Sequence, residues 1–136
     1  MGDWDGLSDE VIAEQWLIES QDKKAPRGAI FAVIDLSYHD PERCWAITLA
    51  ILERINEDDG LLLANVGAGP LEDLLHRFGP AFIERFIVQA RRDRRFREAA
   101  SCIWPSSSMD KGIWERLRVI VQPREEEPKK RRASRW

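Results

Sequence analysis

The amino-acid sequence predicts an all-α fold. Apolar residues recur at three- and four-residue intervals along most of the chain, the period of a helix with one buried face. Residues that start and stop helices punctuate the pattern: Ser8, Asp40-Pro41, Gly69-Pro70, Gly79-Pro80 and Asp93. Only one other segment, Arg118–Gln122, reads as a strand, so the ambiguous apolar run Ala29–Leu36 lacks the partners a sheet needs and is read as helix.

Ser8 is an N-cap, and Asp9 and Glu10 suit the positive end of the helix that follows over residues 9–20, with Val11, Ile12, Trp16 and Leu17 at helical spacing. Gln21 to Gly28 is polar, contains a proline and reads as a loop. Asp40 caps a helix with Pro41 at its first position and a wide apolar face of Cys44, Trp45, Ile47, Leu49, Ile51, Leu52 and Ile55. Asn56 to Asp59 separates it from a short apolar helix, Leu61 to Val66, closed by Gly67. Gly69 then breaks the chain and Pro70 opens a new helix with Glu72 and Asp73 in its first turn. Gly79 fits the position after a helix end, Pro80 restarts, and Phe82, Ile83, Phe86, Ile87 and Ala90 follow. Asp93 caps a helix through Phe96, Ala99, Ala100, Ile103 and Trp104, and Ser108 or Asp110 caps a last one with Ile113, Trp114 and Leu117.

These elements amount to seven or eight short helices packed as antiparallel hairpins in the manner of helical repeats, in one domain over residues 1–122. Trp45, Leu49, Leu52, Leu71, Leu74, Leu75, Phe82, Phe86 and Trp104 are the expected shared core. Residues 123–136, dense in charge and proline, read as a disordered basic tail. The N-terminus lacks an apolar signal core, so cytoplasmic residence is expected, and Cys44 and Cys102, inside apolar patterns, read as buried free thiols.

Charge is unevenly distributed. Residues 1–90 carry 17 acidic and 7 basic side chains, whereas residues 91–136 carry 7 acidic and 14 basic ones. The presumed body is therefore acidic, and the basic charge sits in the run Arg91, Arg92, Arg94, Arg95, Arg97 and in the tail. Such asymmetry bears on partners more than on fold.

The segment Gly69-Pro70-Leu71-Glu72-Asp73-Leu74-Leu75 is the most distinctive in the chain. With Asp40-Pro41-Glu42-Arg43, Gly79 before Phe82-Ile83, Arg91-Arg92-Asp93 before Phe96-Arg97, and Trp104, it resembles a family of uncharacterised small bacterial helical domains with a Gly-Pro-Leu-Glu-Asp-Leu-Leu core. The resemblance implies a helical domain of bacterial origin and names no activity. Where that family more often shows Asp-Pro, this chain has Asp93-Arg94.

No catalytic set is evident, and no cofactor or metal is expected. Glu72, Asp73 and His76 share a helical face, but zinc needs further ligands that the neighbourhood does not offer, and Glu72–His76 and Asp73–Arg77 are also ordinary i,i+4 pairs. Neither cysteine has a histidine at a suggestive spacing, and His39 and His76 are the only histidines. Small size, an acidic body and a helical scaffold lead to the expectation of a non-enzymatic protein-binding module. The specific form expected is an immunity or antitoxin-like neutraliser of a basic toxin. Glu72 and Asp73, or Glu57, Asp58 and Asp59, are its expected contact residues. The alternative is a nucleic-acid-associated accessory protein contacting phosphates through Arg91, Arg92, Arg94 and Arg95 and the basic tail.

Overall fold

The computed structural model describes residue 4, residues 6–105 and residues 109–121, and every regular element among them is helical. Seven α-helical stretches occur: α1 (Asp9–Gln21), α2 (Gly28–His39), α3 (Pro41–Glu53), α4 (Gly60–Val66), α5 (Glu72–Arg92), α6 (Arg94–Ala100) and α7 (Lys111–Val121). A wider turn, Gly67–Leu71, joins α4 to α5 without a break, so six separate rods are formed rather than seven or eight. The expected tail 123–136 and the candidate cap Ser108 lie outside the described residues.

Most helix starts follow from the chain itself. The side chains of Ser8, Asp40, Asp59 and Asp93 accept hydrogen bonds from N–H groups of the first turns of α1, α3, α4 and α6. Asp110 does the same for α7, accepting from Gly112 and Ile113. These bonds satisfy N–H groups that have no partner within the helix.

The ambiguous run is helical, as α2, but α2 has no cap of its own: Arg27 precedes it and its side chain bonds no first-turn N–H. The acceptor comes from α1. Glu19, 1% exposed, takes hydrogen bonds from the N–H groups of Ala29 and Ile30, each 3.0 Å long. Arg27 in turn donates to the Glu19 backbone carbonyl. A buried carboxylate is tolerable here because it faces the positive end of a helix and accepts charge-assisted hydrogen bonds.

The Gly69-Pro70 segment departs from expectation. Instead of a break and restart, residues 67–71 form a turn of π-helix inside a continuous rod. The Glu72 N–H reaches the Gly67 carbonyl, five residues back. Pro70 has no N–H to give the Val66 carbonyl, and its ring would crowd an α-helical turn; widening the turn accommodates both. Gly69 lacks the Cβ that a proline ring resists in a preceding helical residue. Gly67 meets a different demand, because a Cβ built there would lie 1.8 Å from the Ala99 carbonyl oxygen. Backbone thus meets backbone where this rod crosses α6.

Gly79 is likewise not a left-handed helix terminator, since no described residue has a positive φ. The bend falls at Phe78, whose φ of −134° and ψ of 38° depart from helix, and Pro80 lies in the limb that follows. Gly79 packs against α7, where a Cβ would come 2.9 Å from Ile113 Cδ1.

Packing also differs from a stack of consecutive hairpins. The main neighbour of α1 is α3, that of α4 is α6 and that of α5 is α7, each skipping one element. At the centre, the Trp45 ring lies 5.7 Å from Phe82, 5.4 Å from Phe86 and 5.6 Å from Phe96, which ties α3 to α5 and α6. Leu52, Leu71, Leu74, Leu75, Phe82 and Phe86 are buried as expected, and Trp45 and Leu49 are half-buried against them. Trp104 is not in the core: it is 74% exposed, and Ile103 turns inward instead. Cys44 is buried, whereas Cys102 is only partly so.

Three outcomes are expected from chemical denaturation. Gly67→Ala, which needs a backbone shift, should cost at least about 1–3 kcal/mol, whereas Gly60→Ala, where a Cβ meets nothing within 4 Å, should change stability by less than about 1 kcal/mol. Glu19→Ala, which strands two N–H groups at the α2 start, should cost about 3 kcal/mol; a loss below about 1 kcal/mol would show that water replaces the carboxylate.

Candidate functional site

A groove of about 510 Å³ lies between α1, α2 and the π turn. Trp16 from α1 and Ile30, Val33 and Ile34 from α2 give it an apolar side, and Pro70 of the π turn closes the opposite wall. Arg27, Asn65 and Asp73 bring polar groups to it. Its shape therefore depends on two features already described: the Glu19 cap that places α2, and the widened turn that sets Pro70 and Asp73 across from it. A mixed wall of this kind suits an apolar group that carries a polar or cationic end.

Of the candidate contact residues read from the sequence, Asp73 alone lines this groove, beside Gly69 and Pro70 of the same segment. Its carboxylate lies 3.2 Å from Arg77, one turn on, and the Arg77 guanidinium stacks 3.6 Å over the Tyr38 ring of α2. Glu72 points elsewhere. It accepts the Trp104 N–H at 2.9 Å, while His76 Nε2 donates to the Trp104 carbonyl at 3.0 Å. The two side chains grip one peptide segment from both ends, and that grip leaves the Trp104 indole outside the core. Glu72 and His76 thus hold the same residue, Trp104, while Asp73 turns to Arg77 and the groove. Among the described residues, no cluster of three or more His, Cys, Asp or Glu is arranged to hold a metal ion.

The acidic turn 57–59 is remote from the groove. It precedes α4, and twelve residues of helical rod, about 18 Å, separate it from Glu72. Asp59 is occupied as the cap of α4, and Asp58 is exposed. Glu57 approaches Arg94 at 4.0 Å. The expected acidic surface and the expected basic surface therefore meet at one place. Arg95 reinforces the meeting by donating to the carbonyls of Glu53 and Ile55, which end α3. Arg97 donates to the Ala90 carbonyl near the end of α5, and Arg92 bonds Gln89. Arg91 is exposed.

Sequence reasoning missed Glu19, Arg27 and Asn65. Glu19 read as one more polar residue of α1, and its partners lie ten and eleven residues away. Arg27 carried one signal: it is the only arginine in the loop before a helix that has no capping residue of its own. Elsewhere, Arg85 donates twice to the Glu42 carboxylate, at 2.7 and 2.6 Å, tying α3 to α5. Those bonds hold the Glu42 carboxyl below its ordinary pKa.

The Cys44 thiol is enclosed by the core. Burial pushes its pKa up to about 12, and the Thr48 hydroxyl offsets only part of that. A protonated, enclosed thiol is a poor nucleophile.

Residues 18–124 match a family whose description reads "Family of unknown function (DUF6869)". No curated protein and no solved structure matches the chain.

The Cys44 shift sets an expected pH dependence. The folded chain retains the Cys44 proton between an ordinary thiol pKa of 9.0 and about 12, whereas the unfolded chain releases it. Stability is thus expected to fall as pH rises through that window. Urea titrations at pH 8, 10 and 11 check the sign, and a Cys44→Ala variant should lose this component of the slope. Cys44 should also resist a thiol reagent at pH 8 until urea is added, while Cys102 reacts in the folded chain.

Proposed function

The chain belongs to that family of unknown function, and from this premise we propose that it is a non-enzymatic protein-binding module for a basic protein partner, acting as an immunity or antitoxin-like neutraliser does. One observation carries the reading: the use the chain makes of its arginines. All five in the first 90 residues are engaged within the fold. Arg27, Arg54 and Arg77 donate to backbone carbonyls, Arg43 to Asp9 and the Leu7 carbonyl, and Arg85 to Glu42. Acids in that stretch outnumber bases 17 to 7, and Glu10, Glu14, Asp22, Asp35 and Asp58 are exposed. The field met by an approaching molecule is negative, which favours encounter with a cationic surface.

The groove supplies the anchor. A partner lysine or arginine lays its apolar stem along Ile30 and Pro70 and brings its charge to Asp73. The nucleic-acid alternative draws less support, because Arg95 and Arg97 are committed to carbonyls and Arg94 faces Glu57.

The test is fluorescence anisotropy with three probes: an amphipathic helical peptide of Leu and Lys, the same peptide with Glu for Lys, and a panel of duplex DNA and single-stranded RNA. The Lys peptide should bind, weaken with salt, and lose about tenfold in affinity, about 1.4 kcal/mol, on Asp73→Lys. Glu72 and Asp59 are poor test positions, because each holds a backbone N–H of the fold. Equal binding of both peptides would sink the reading. So would nucleic-acid binding at physiological salt that needs Arg91, Arg92 and Arg94.

A further inference from the structure

The groove between α1, α2 and the π turn holds a cation without a counter-charge. Of the five arginines in the first 90 residues, four have a carboxylate partner: Arg43 has Asp9, Arg54 has Glu14, Arg77 has Asp73 and Arg85 has Glu42. Arg27, which lines the groove, has none among the described residues. Its bond goes to the Glu19 backbone carbonyl, while the Glu19 carboxylate is taken up by the N–H groups of Ala29 and Ile30. A carbonyl occupies one of the five N–H groups of a guanidinium and cancels none of its charge, so this bond places the cation without neutralising it. The loop before α2 adds Lys23 and Lys24, both exposed and the only lysines in the first 90 residues. Against these three cations the loop sets one acid, Asp22. On an otherwise acidic body, basic charge is thus gathered within four residues of Arg27.

We propose that the groove binds a small organic carboxylate with an apolar body. The carboxylate takes up N–H groups of Arg27 that the Glu19 carbonyl leaves over, in charge-assisted hydrogen bonds. Ser20, next in the chain after Glu19, also lines the groove, and its hydroxyl has no partner among the described residues. The body of the ligand lies along Trp16, Ile30 and Pro70. The volume of about 510 Å³ falls within the range of small-molecule sites, roughly 300–1,000 Å³. Asp73, the acid of the groove, is balanced by Arg77 at 3.2 Å, so the charge left over in the groove is that of Arg27. The partner-binding reading rests on Asp73 and a cationic group, and this inference does not depend on it.

Amide NMR titration of the full chain with octanoate, octylamine and octanol tests it, because the three share one apolar body and differ in the charge of the head. Octanoate should bind saturably, shift the signals of Ile30, Ile34 and the Trp16 indole, and bind at least about tenfold more tightly than the other two. Arg27→Gln should remove that preference. The double variant Lys23→Glu, Lys24→Glu, changed only at exposed side chains, should weaken octanoate about threefold, by an amount that shrinks with added salt. Ala68→Phe, which fills the groove from an exposed position, should abolish binding of all three. No saturable octanoate binding, or octanoate that binds no better than octanol, overturns the inference. Octylamine preferred over octanoate, in a manner that needs Asp73, also overturns it and leaves the partner-binding reading standing. If Arg27→Gln, which removes the bond to the Glu19 carbonyl, does not fold, the other two variants decide: octanoate affinity unchanged in either overturns the inference.

Discussion

The middle of this fold rests on one contact between two backbones. At Gly67 the rod formed by α4 and α5 crosses α6 so closely that a Cβ would lie 1.8 Å from the Ala99 carbonyl oxygen. The Ala99 peptide group sets the spacing there, with the Cys102 Cβ next to it at 3.1 Å from the same point. The consequences run outward in two directions. On one side, α6 comes near enough for Phe96 to join Trp45 and Phe86 in the aromatic centre. On the other, the π turn that begins at Gly67 presents Pro70 and Asp73 to α2, and the groove exists because of that presentation.

The same rod explains why the residues of the Gly-Pro-Leu-Glu-Asp segment have different tasks despite being neighbours in sequence. A widened turn shifts the helical phase, so Pro70, Glu72 and Asp73 leave it in different directions. Pro70 faces the groove, Glu72 holds the segment that carries Trp104, and Asp73 pairs with Arg77 beneath Tyr38. A motif of this density reads as a single site in the sequence. In space it is a junction where three parts of the chain are fastened.

What the sequence revealed and what it concealed divide along the range of the interactions. Helix starts at Ser8, Asp40 and Asp93 were legible because a cap acts within three residues of itself. The helical state of Ala29–Leu36 was legible by the lack of strands to pair with it. The π turn was not, because a glycine followed by a proline is the ordinary sign of a break, and only the crossing with α6 shows why this one continues. Trp104 looked like core by periodicity, and a clamp from residues 28 and 32 positions earlier holds it outside. The groove was illegible for the same reason: its walls come from α1, α2 and the turn, and although Gly69, Pro70 and Asp73 lay in the marked segment, nothing local says that α1 and α2 face them. The rival acidic and basic surfaces were each legible as charge runs. That Glu57 and Arg94 lie side by side follows only from the packing of α4 against α6.

Helix α2 is twelve residues long, short for a helix that must form by itself, and begins without a local acceptor for its first N–H groups. Its acceptor is the last full turn of α1, and α1 lies chiefly against α3. The start of α2 is thereby tied to the placement of α1, because the Ala29 and Ile30 N–H groups find their acceptor only in Glu19. The groove wall that α2 provides therefore rests on a carboxylate from another helix, and whatever displaces Glu19 reaches the groove through α2.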